Sequence, residues 1–335
     1  MVLFAIMIGT PPLAWAADVN KCPLDPGNSL DGADGEAVIS RKVALAFLGG
    51  SDGKSAGDPK FVQLKLLADQ MASTDCKFLD GRHMLGQFTW GLEEAFRAEA
   101  RSLSLSKLIA LRKAYPKEAF PIIAEVTYWV LYASEARGTG YANSVTKDGR
   151  KLFVERMNRA AKILTENEAV AQKSPEWFGL MIATQNALGV PFREQAKVFS
   201  AGAKSFKTYL PNYIAMRNYL EPKWGGSWEL LDQFAAWAAD NTKETEGSSF
   251  YVRLYYGVYM NLQQPQRLFQ STKASWGRME EGCKDLVARY PRSRDNLNIC
   301  ASLACEAAEK KTYLAYRNLL GSNIKTRNVE SCDAL

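Results

Sequence analysis

The chain has 335 residues, of which 47% are hydrophobic and 23% are charged, a balance typical of globular rather than disordered proteins. Its formal net charge is +6, and the lysine and arginine residues are scattered along the chain. A nucleic-acid surface needs those residues gathered in a basic stripe, so nucleic-acid binding is not expected. One histidine and no Cys-x-x-Cys motif argue against a zinc site, and no cofactor is expected.

The first residues predict export. Residues 2–8 are apolar, and Ala14 and Ala16 form an A-x-A site with cleavage expected before Ala17. We therefore predict a signal peptide over residues 1–16, too short to remain as a lasting membrane anchor. The mature protein is expected in the periplasm or outside the cell. The alternative is a buried helix, since no lysine or arginine precedes the apolar run.

An even number of cysteines in an exported chain predicts disulfides, although six allow 15 full pairings. Cys300 and Cys305 are five residues apart on one predicted helix, so they point to different sides. Cys283 and Cys300 lie almost symmetrically about a turn at residues 291–293, which would bring them level on two antiparallel helices. The predicted pairs are Cys283–Cys300, Cys22–Cys76 and Cys305–Cys332; the alternative is free, buried cysteines.

Apolar periodicity predicts a series of helices joined by short loops. Residues 17–36 are predicted to form an extended arm, and residues 117–137 are apolar nearly all round, as expected for a central helix packed on several sides. Residues 17–147 are taken as an N-terminal helical region and residues 148–335 as a second one. The predicted helices of the first region are 36–48, 61–72, 83–100, 103–115 and 117–137.

The second region continues the pattern, and no convincing strand occurs anywhere. Residues 177–211 span about one tetratricopeptide repeat length, but their second helix is out of register with that consensus. The predicted fold is therefore all-α, with stacked antiparallel helical hairpins in a tetratricopeptide-like α-solenoid or bundle. The predicted helices here include 148–165, 174–188, 211–220, 248–262, 275–290, 293–309 and 311–320.

Residues 215–240 predict a sharp corner between two helices, around which the other helices are expected to be arranged. Pro222 ends the first helix, and Gly225 and Gly226 allow a tight reversal. Ser227 stands where an N-cap belongs. Two indoles bracket the glycines and either clamp neighbouring helices or form a recognition patch: Trp224 and Trp228.

This corner, YLEPKWGGSWELLDQFA at residues 219–235, resembles the DUF4034 family. The later stretch YPRSRDNLNICASLACEAAEKKTYLAYRNLLGSNI, at residues 290–324, resembles the C-terminal part of that family. Its members are bacterial proteins of helical, tetratricopeptide-like architecture with no assigned function. The resemblance covers roughly the last half of the chain and implies a fold but no activity.

An aromatic stripe is the second candidate for recognition. Tyr251, Tyr255, Tyr256 and Tyr259 follow one another at helical spacing. Tyrosines can line a groove that holds a peptide, because each offers a broad apolar face and a polar tip. The alternative is a helix core whose hydroxyls reach the rim. The predicted protein-binding residues are Trp224, Trp228, Tyr251, Tyr255 and Tyr259.

Catalytic candidates are fewer. Glu93 and Glu94 are adjacent on a helix and point about 100° apart, so they do not face one pocket. Glu125 lies within the most apolar helix, where a carboxylate either has a function or pairs with an arginine or a tyrosine. A serine or cysteine triad would need His83 as its base, and no G-x-S-x-G motif occurs.

Two functional hypotheses follow. The first is an exported helical protein that binds another protein or a peptide, for example an immunity or inhibitor protein directed against a toxin delivered to the periplasm. The second is a hydrolase of the cell envelope that uses a buried glutamate as its acid or base.

Overall fold

A computed structural model describes residues 22–23, 30–49, 59–73, 76–138, 144–263, 267–325 and 332–333. Within these ranges the regular structure is helical apart from one isolated β-bridge between Lys77 and His83, so the predicted all-α fold of packed helical hairpins is confirmed. The predicted signal peptide lies outside the described residues. In the described part, no helix is both long enough and apolar enough to span a membrane.

Sixteen α-helices occur in the described ranges, and two of them are single turns of four residues. In chain order they are α1 (Gly32–Leu48), α2 (Pro59–Ser73), α3 (Gly86–Ala98), α4 (Arg101–Ala114), α5 (Ala119–Arg137), α6 (Lys147–Glu166), α7 (Glu168–Ala171), α8 (Glu176–Ala187), α9 (Phe192–Ser205), α10 (Leu210–Leu220), α11 (Trp228–Glu246), α12 (Ser249–Asn261), α13 (Leu268–Ser271), α14 (Trp276–Arg289), α15 (Arg294–Glu306) and α16 (Lys310–Leu320). Short 3-10 turns occupy Pro222–Trp224 and Gly321–Asn323.

The buried apolar side chains form two clusters, one N-terminal and one C-terminal. They meet within α8, where Met181 belongs to the first cluster and Ile182 to the second. As its apolar sequence predicts, α5 is central to the first cluster and contacts α3, α4, α6, α7 and α8. The division into two regions at residue 147 stays a prediction, and α5 and α6 pack against each other across that point.

A non-helical segment, residues 76–85, joins the two clusters, and we call it the junction segment. Its backbone closes on itself through hydrogen bonds from the amides of Phe78 and Met84 to the carbonyls of Arg82 and Cys76. From the C-terminal cluster, the guanidinium of Arg253 and the carboxamide of Asn296 both donate to the carbonyl of Asp80. The junction segment therefore contacts α12 and α15, which lie far along the chain.

The first and fifteenth helices also cap each other. Asp31, just before α1, accepts hydrogen bonds from the hydroxyl of Ser293 at 2.7 Å and the amide of Asp295 at 2.9 Å. In return, the carboxylate of Asp295 accepts one from the amide of Ala33 at 3.0 Å. Each helix N-terminus thus receives the negative charge that its dipole favours. Helices α1 and α15, which are far apart along the chain, are therefore in contact.

The three predicted disulfides are confirmed as pairs: Cys22–Cys76, Cys283–Cys300 and Cys305–Cys332. Cys283 and Cys300 lie on α14 and α15, on either side of the short turn that the sequence indicates. Cys22–Cys76 ties the N-terminal arm to the start of the junction segment. The sequence separation is 54 for Cys22–Cys76, 17 for Cys283–Cys300 and 27 for Cys305–Cys332.

Candidate binding cleft

A cleft of about 880 Å³ lies between α6, α8 and α10, with the end of α5 and the turn Pro222–Trp224 at its rim. Thr146 fixes the start of α6 on one side, because its hydroxyl accepts a hydrogen bond from the amide of Gly149 at 3.0 Å. The apolar walls come from both sides of the cleft, and their main side chains are Phe153, Val154, Met157, Leu180 and Ile214.

Glu176, at the start of α8, is the one carboxylate among the described residues that line the cleft. It is buried and accepts a hydrogen bond from the hydroxyl of Tyr209. Burial raises the pKa of Glu176 to about 7, although hydrogen bonds with Tyr209 and Thr89 oppose the shift. A carboxyl with this pKa is about half protonated near neutral pH, so it adds little negative charge to the cleft.

Asn212, in the first turn of α10, is 0% exposed and also lines the cleft. Neither its Oδ1 nor its Nδ2 has a hydrogen-bond partner within the described part of the chain. An unpaired buried donor or acceptor costs about 1–3 kcal/mol, and nearly all such groups in folded proteins are paired. Because both atoms are buried, this carboxamide is an unpaired polar group within the wall and not on the open surface of the cleft.

Gly179 lies directly against that carboxamide. A Cβ placed on Gly179 would lie 3.3 Å from Oδ1 of Asn212. Glycine in the middle of a helix such as α8 costs about 1 kcal/mol relative to alanine. A glycine at this position lets Oδ1 of Asn212, on α10, lie close to α8.

The mouth of the cleft is basic. Arg137, Arg150 and Lys223 line it, and Lys223 is paired with Glu221 at 2.8 Å. An adjoining hollow shares Arg150 with the cleft, and it adds Lys147 and Lys151 without any carboxylate. Positive charge around low-dielectric walls attracts anionic groups.

The predicted recognition residues divide between surface and core. Trp224 is 48% exposed and lines the cleft, whereas Trp228 is partly buried against the C-terminal cluster. Trp224 thus lies at the rim of the cleft, and Trp228 packs between helices. The sequence leaves both positions open for either residue.

The tyrosine stripe is a correction to the sequence analysis, because it forms core and not a groove. Tyr251, Tyr255 and Tyr259 are all buried. The hydroxyls of Tyr251 and Tyr255 both donate to Asp232, at 2.6 Å and 2.9 Å. Their polar tips are therefore satisfied inside the protein, and their faces offer no surface to a peptide.

The catalytic candidates lie away from the cleft. Glu125 is mostly buried and lies 3.6 Å from the guanidinium of Arg112, the structural pairing that the sequence leaves open. Glu93 is bonded to Arg97 at 2.9 Å. His83 packs against the ring of Tyr209, with centroids 5.4 Å apart. None of these three side chains lines the cleft.

Sequence reasoning assigns no functional role to the cleft residues Asn212, Gly179 and Glu176. The one available signal is Gly179, a glycine within a predicted helix, because such a residue often marks a close approach. The missing partners of Asn212 depend on which helices surround it, and no local pattern encodes that.

Comparison with known proteins adds no relative: no protein-family model, curated protein or solved structure matches this chain. The resemblance to the DUF4034 family stays a prediction.

Proposed function

We propose that this protein works outside the cytoplasm as a binding protein for another polypeptide, which it holds in the cleft between α6, α8 and α10. The observation that carries the proposal is a large cleft with apolar walls and an exposed indole, Trp224, at its rim. The volume of about 880 Å³ is within the usual range of ligand sites. Aromatic side chains such as Trp224 are enriched where proteins bind proteins.

Export to the periplasm or beyond is part of the proposal. Three disulfides support it, because such bonds persist in oxidising compartments. The leader pattern at residues 1–16 of the sequence supports it as well. One specific form is an immunity or inhibitor protein that blocks a toxin delivered to the periplasm.

A photo-crosslinking amino acid in place of Trp224 tests the proposal. We expect this variant to link to a discrete protein in extracts of the native cell. The same substitution at Trp90, which is 63% exposed on α3, is the matched control and should give no such product. Equal labelling from both positions, or from neither, would remove the cleft as the binding site. If the linked protein is a toxin, adding the purified protein should abolish its toxicity.

One observation favours a second candidate function, hydrolysis of the cell envelope. A carboxyl whose pKa lies near 7 is suited to general acid catalysis, and Glu176 is such a group at the cleft wall. A glycosidase of the usual kind needs a second carboxyl across the cleft, and the described lining residues supply none. Zymography on peptidoglycan with Glu176→Gln and Glu125→Gln as controls separates the two functions. Clearing by wild-type protein that either variant loses would favour the enzyme.

A further inference from the structure

We infer that the outer face of α9, α10 and α11 is a dimerisation surface that binds a second copy of this chain. An apolar strip runs along this face, and we call it the aromatic strip. Its members are Phe192, Phe199, Tyr219, Leu230, Phe234 and Trp237. None of them lines the cleft, so the inference goes beyond the proposed function and does not depend on it.

The aromatic strip is continuous across the three helices. At one end, the rings of Phe192 on α9 and Tyr219 on α10 are stacked, with centroids 5.6 Å apart. Two turns further along α9, the ring of Phe199 contacts the rings of Phe234 and Trp237 on α11, at 5.2 Å and 5.7 Å. Residues seven apart share a face of a helix, so Phe192 and Phe199 lie in one line.

Much of the strip meets solvent. Phe192 is 46% exposed, Leu230 is 48% exposed and Trp237 is 44% exposed. Single exposed apolar residues are normal, but large apolar side chains gathered on one continuous surface and bordered by charge mark an interaction site. Aromatic side chains are also enriched where proteins bind proteins. The strip therefore has the chemistry of a protein interface.

The two edges of the strip carry opposite charge. Helical periodicity places Arg193 and Lys204 together on the side of α9 away from Gly202, which packs against α8. On α11, Asp240 lies on the side opposite the buried Leu231. Arg193, Lys204 and Asp240 are all exposed, and none has an ion-pair partner within the described residues. The α9 edge is therefore basic and the α11 edge is acidic.

The ring contacts fix the level of each charge along the strip. Helices α9 and α11 both run antiparallel to α10, and hence parallel to each other. Phe199 contacts Phe234 and Trp237, so these three residues are level. Lys204 follows Phe199 by five positions, and Asp240 follows Trp237 by three and Phe234 by six. Lys204 and Asp240 therefore lie at about the same level, on opposite edges.

Other charges at this end of the strip are already paired within the chain. Lys197 is paired with Glu194 on the same helix at 2.8 Å. Lys207, just after α9, lies 3.7 Å from Glu244 on α11, which agrees with the level deduced from the rings. These groups are neutralised locally and add nothing to the attraction between copies.

A twofold axis along the strip brings the unpaired charges together. This operation covers the aromatic strip of one copy with that of the other, and it lays each basic edge over an acidic edge at an unchanged level. Lys204 of one copy then meets Asp240 of the other, and symmetry forms this pair twice. A helix from a different protein would need the reverse order of charged edges, whereas a second copy has that order by symmetry.

Analytical ultracentrifugation of the purified full chain tests the inference. We expect a dimer at micromolar concentration and low salt. Lys204→Glu and Asp240→Lys should each weaken it by about tenfold, because a like-charge contact then occurs twice. The double variant with both changes should regain the affinity of wild type, since it forms the same pairs with the signs reversed. Both positions are exposed, so the fold should be unaffected, and circular dichroism verifies this.

The apolar centre of the surface is tested separately. Trp237→Glu places a charge in the strip and should abolish the dimer. Trp90→Glu is the matched control, because Trp90 is an exposed indole on α3, and it should leave the dimer intact.

Each other outcome removes a defined part of the inference. Wild-type protein that stays monomeric would overturn the second copy as the occupant of the strip. A dimer that survives Trp237→Glu would overturn the surface. A dimer that the single charge variants leave unchanged, or that the double variant fails to restore, would overturn the twofold arrangement. Cross-linking from Trp224 is expected in monomer and dimer alike, so the proposed function is judged independently of these results.

Discussion

The junction segment and the cleft both bury polar groups, but Asp80 at the junction and Asn212 in the cleft differ in their hydrogen bonding. At the junction, Asp80 is 1% exposed, and its carboxylate accepts from the amide of Arg82 at 2.8 Å and from its Nε at 2.6 Å. The carbonyl of Asp80 accepts from Arg253 and Asn296. In the cleft, Asn212 has neither of its side-chain atoms paired. The carboxylate and carbonyl of Asp80 are thus bonded within the fold, although Oδ1 of its neighbour Asn296 is unpaired, whereas both side-chain atoms of Asn212 are unpaired.

The difference shows how buried polarity can be interpreted in an all-α protein without relatives. Hydrogen bonds at the junction connect residues far apart in sequence, for example Asp80 with Asn296, 216 positions away. Such bonds hold two hydrophobic clusters in one arrangement, which apolar contacts alone specify less strictly. Unpaired groups contribute nothing of that kind and lower stability.

The largest expected effect comes from releasing the junction from its disulfide. Replacing Cys22 and Cys76 by alanine frees a closed loop with a separation of 54 residues, and the chain-entropy estimate gives a loss of about 4 kcal/mol. The same change at Cys283 and Cys300, with a separation of 17, should cost about 3 kcal/mol. Guanidinium unfolding of the two double variants measures both. The reverse order would show that the arm does not constrain the unfolded chain as the sequence separation implies.

In the cleft, the burial of Glu176 makes the stability of the protein depend on pH. Its pKa is about 7 in the folded protein against an ordinary value of 4.5, so the folded state binds the extra proton between these values. This contribution is complete below about pH 4.5 and is lost as the pH rises through 7. The difference corresponds to about 3 kcal/mol.

The difference in unfolding free energy between wild type and Glu176→Gln, measured from pH 4.5 to 8, isolates that contribution. Wild type should lose stability relative to the variant as the pH rises, because the glutamine cannot ionise. Parallel curves for the two proteins would mean that Glu176 has an ordinary pKa and that the cleft wall is more hydrated than the structure shows.

Asp80→Ala breaks the junction itself. It removes a buried carboxylate and leaves Arg82 without one of its two partners, so we expect a loss of about 2–3 kcal/mol. Glu166→Ala is the control, because Glu166 forms an exposed pair with Lys162 at 3.6 Å and should cost less than 0.5 kcal/mol, roughly the value of a helical surface pair. Thermal unfolding distinguishes the two variants. A loss at Asp80 no larger than at Glu166 would contradict a structural role for the junction.

The sequence predicts the helices and the Cys283–Cys300 disulfide from local spacing, whereas no spacing argument fixes Cys22–Cys76, which are 54 positions apart. Cys283 and Cys300 lie on either side of one turn, and apolar periodicity alone locates the central helix α5. The junction segment escapes prediction, since it has no periodic pattern and its partners are distant in the chain. The corner near Trp224 is predicted correctly as a turn. The long-range hydrogen bonds that connect the two clusters lie at the junction segment instead.

The burial of the tyrosine stripe and the missing partners of Asn212 escape prediction for a related reason. Helical spacing shows that Tyr251 and Tyr255 share one face, but not whether that face meets solvent or Asp232. The sequence likewise cannot show that Asn212 lacks a partner, because this depends on how α8 and α10 pack together. Burial and pairing are properties of the assembled helices.

The smallest expected effect is the most diagnostic, because its sign differs between an unpaired and a fully paired buried carboxamide. Asn212→Leu replaces two unpaired buried polar atoms by an apolar side chain of similar size, so the free energy of unfolding should rise by about 1–2 kcal/mol. Asn298→Leu removes a carboxamide that is fully paired, and it should lower that free energy by about 2 kcal/mol. Urea unfolding at one pH measures both. A loss of stability in Asn212→Leu would mean that its amide already has a partner within the protein.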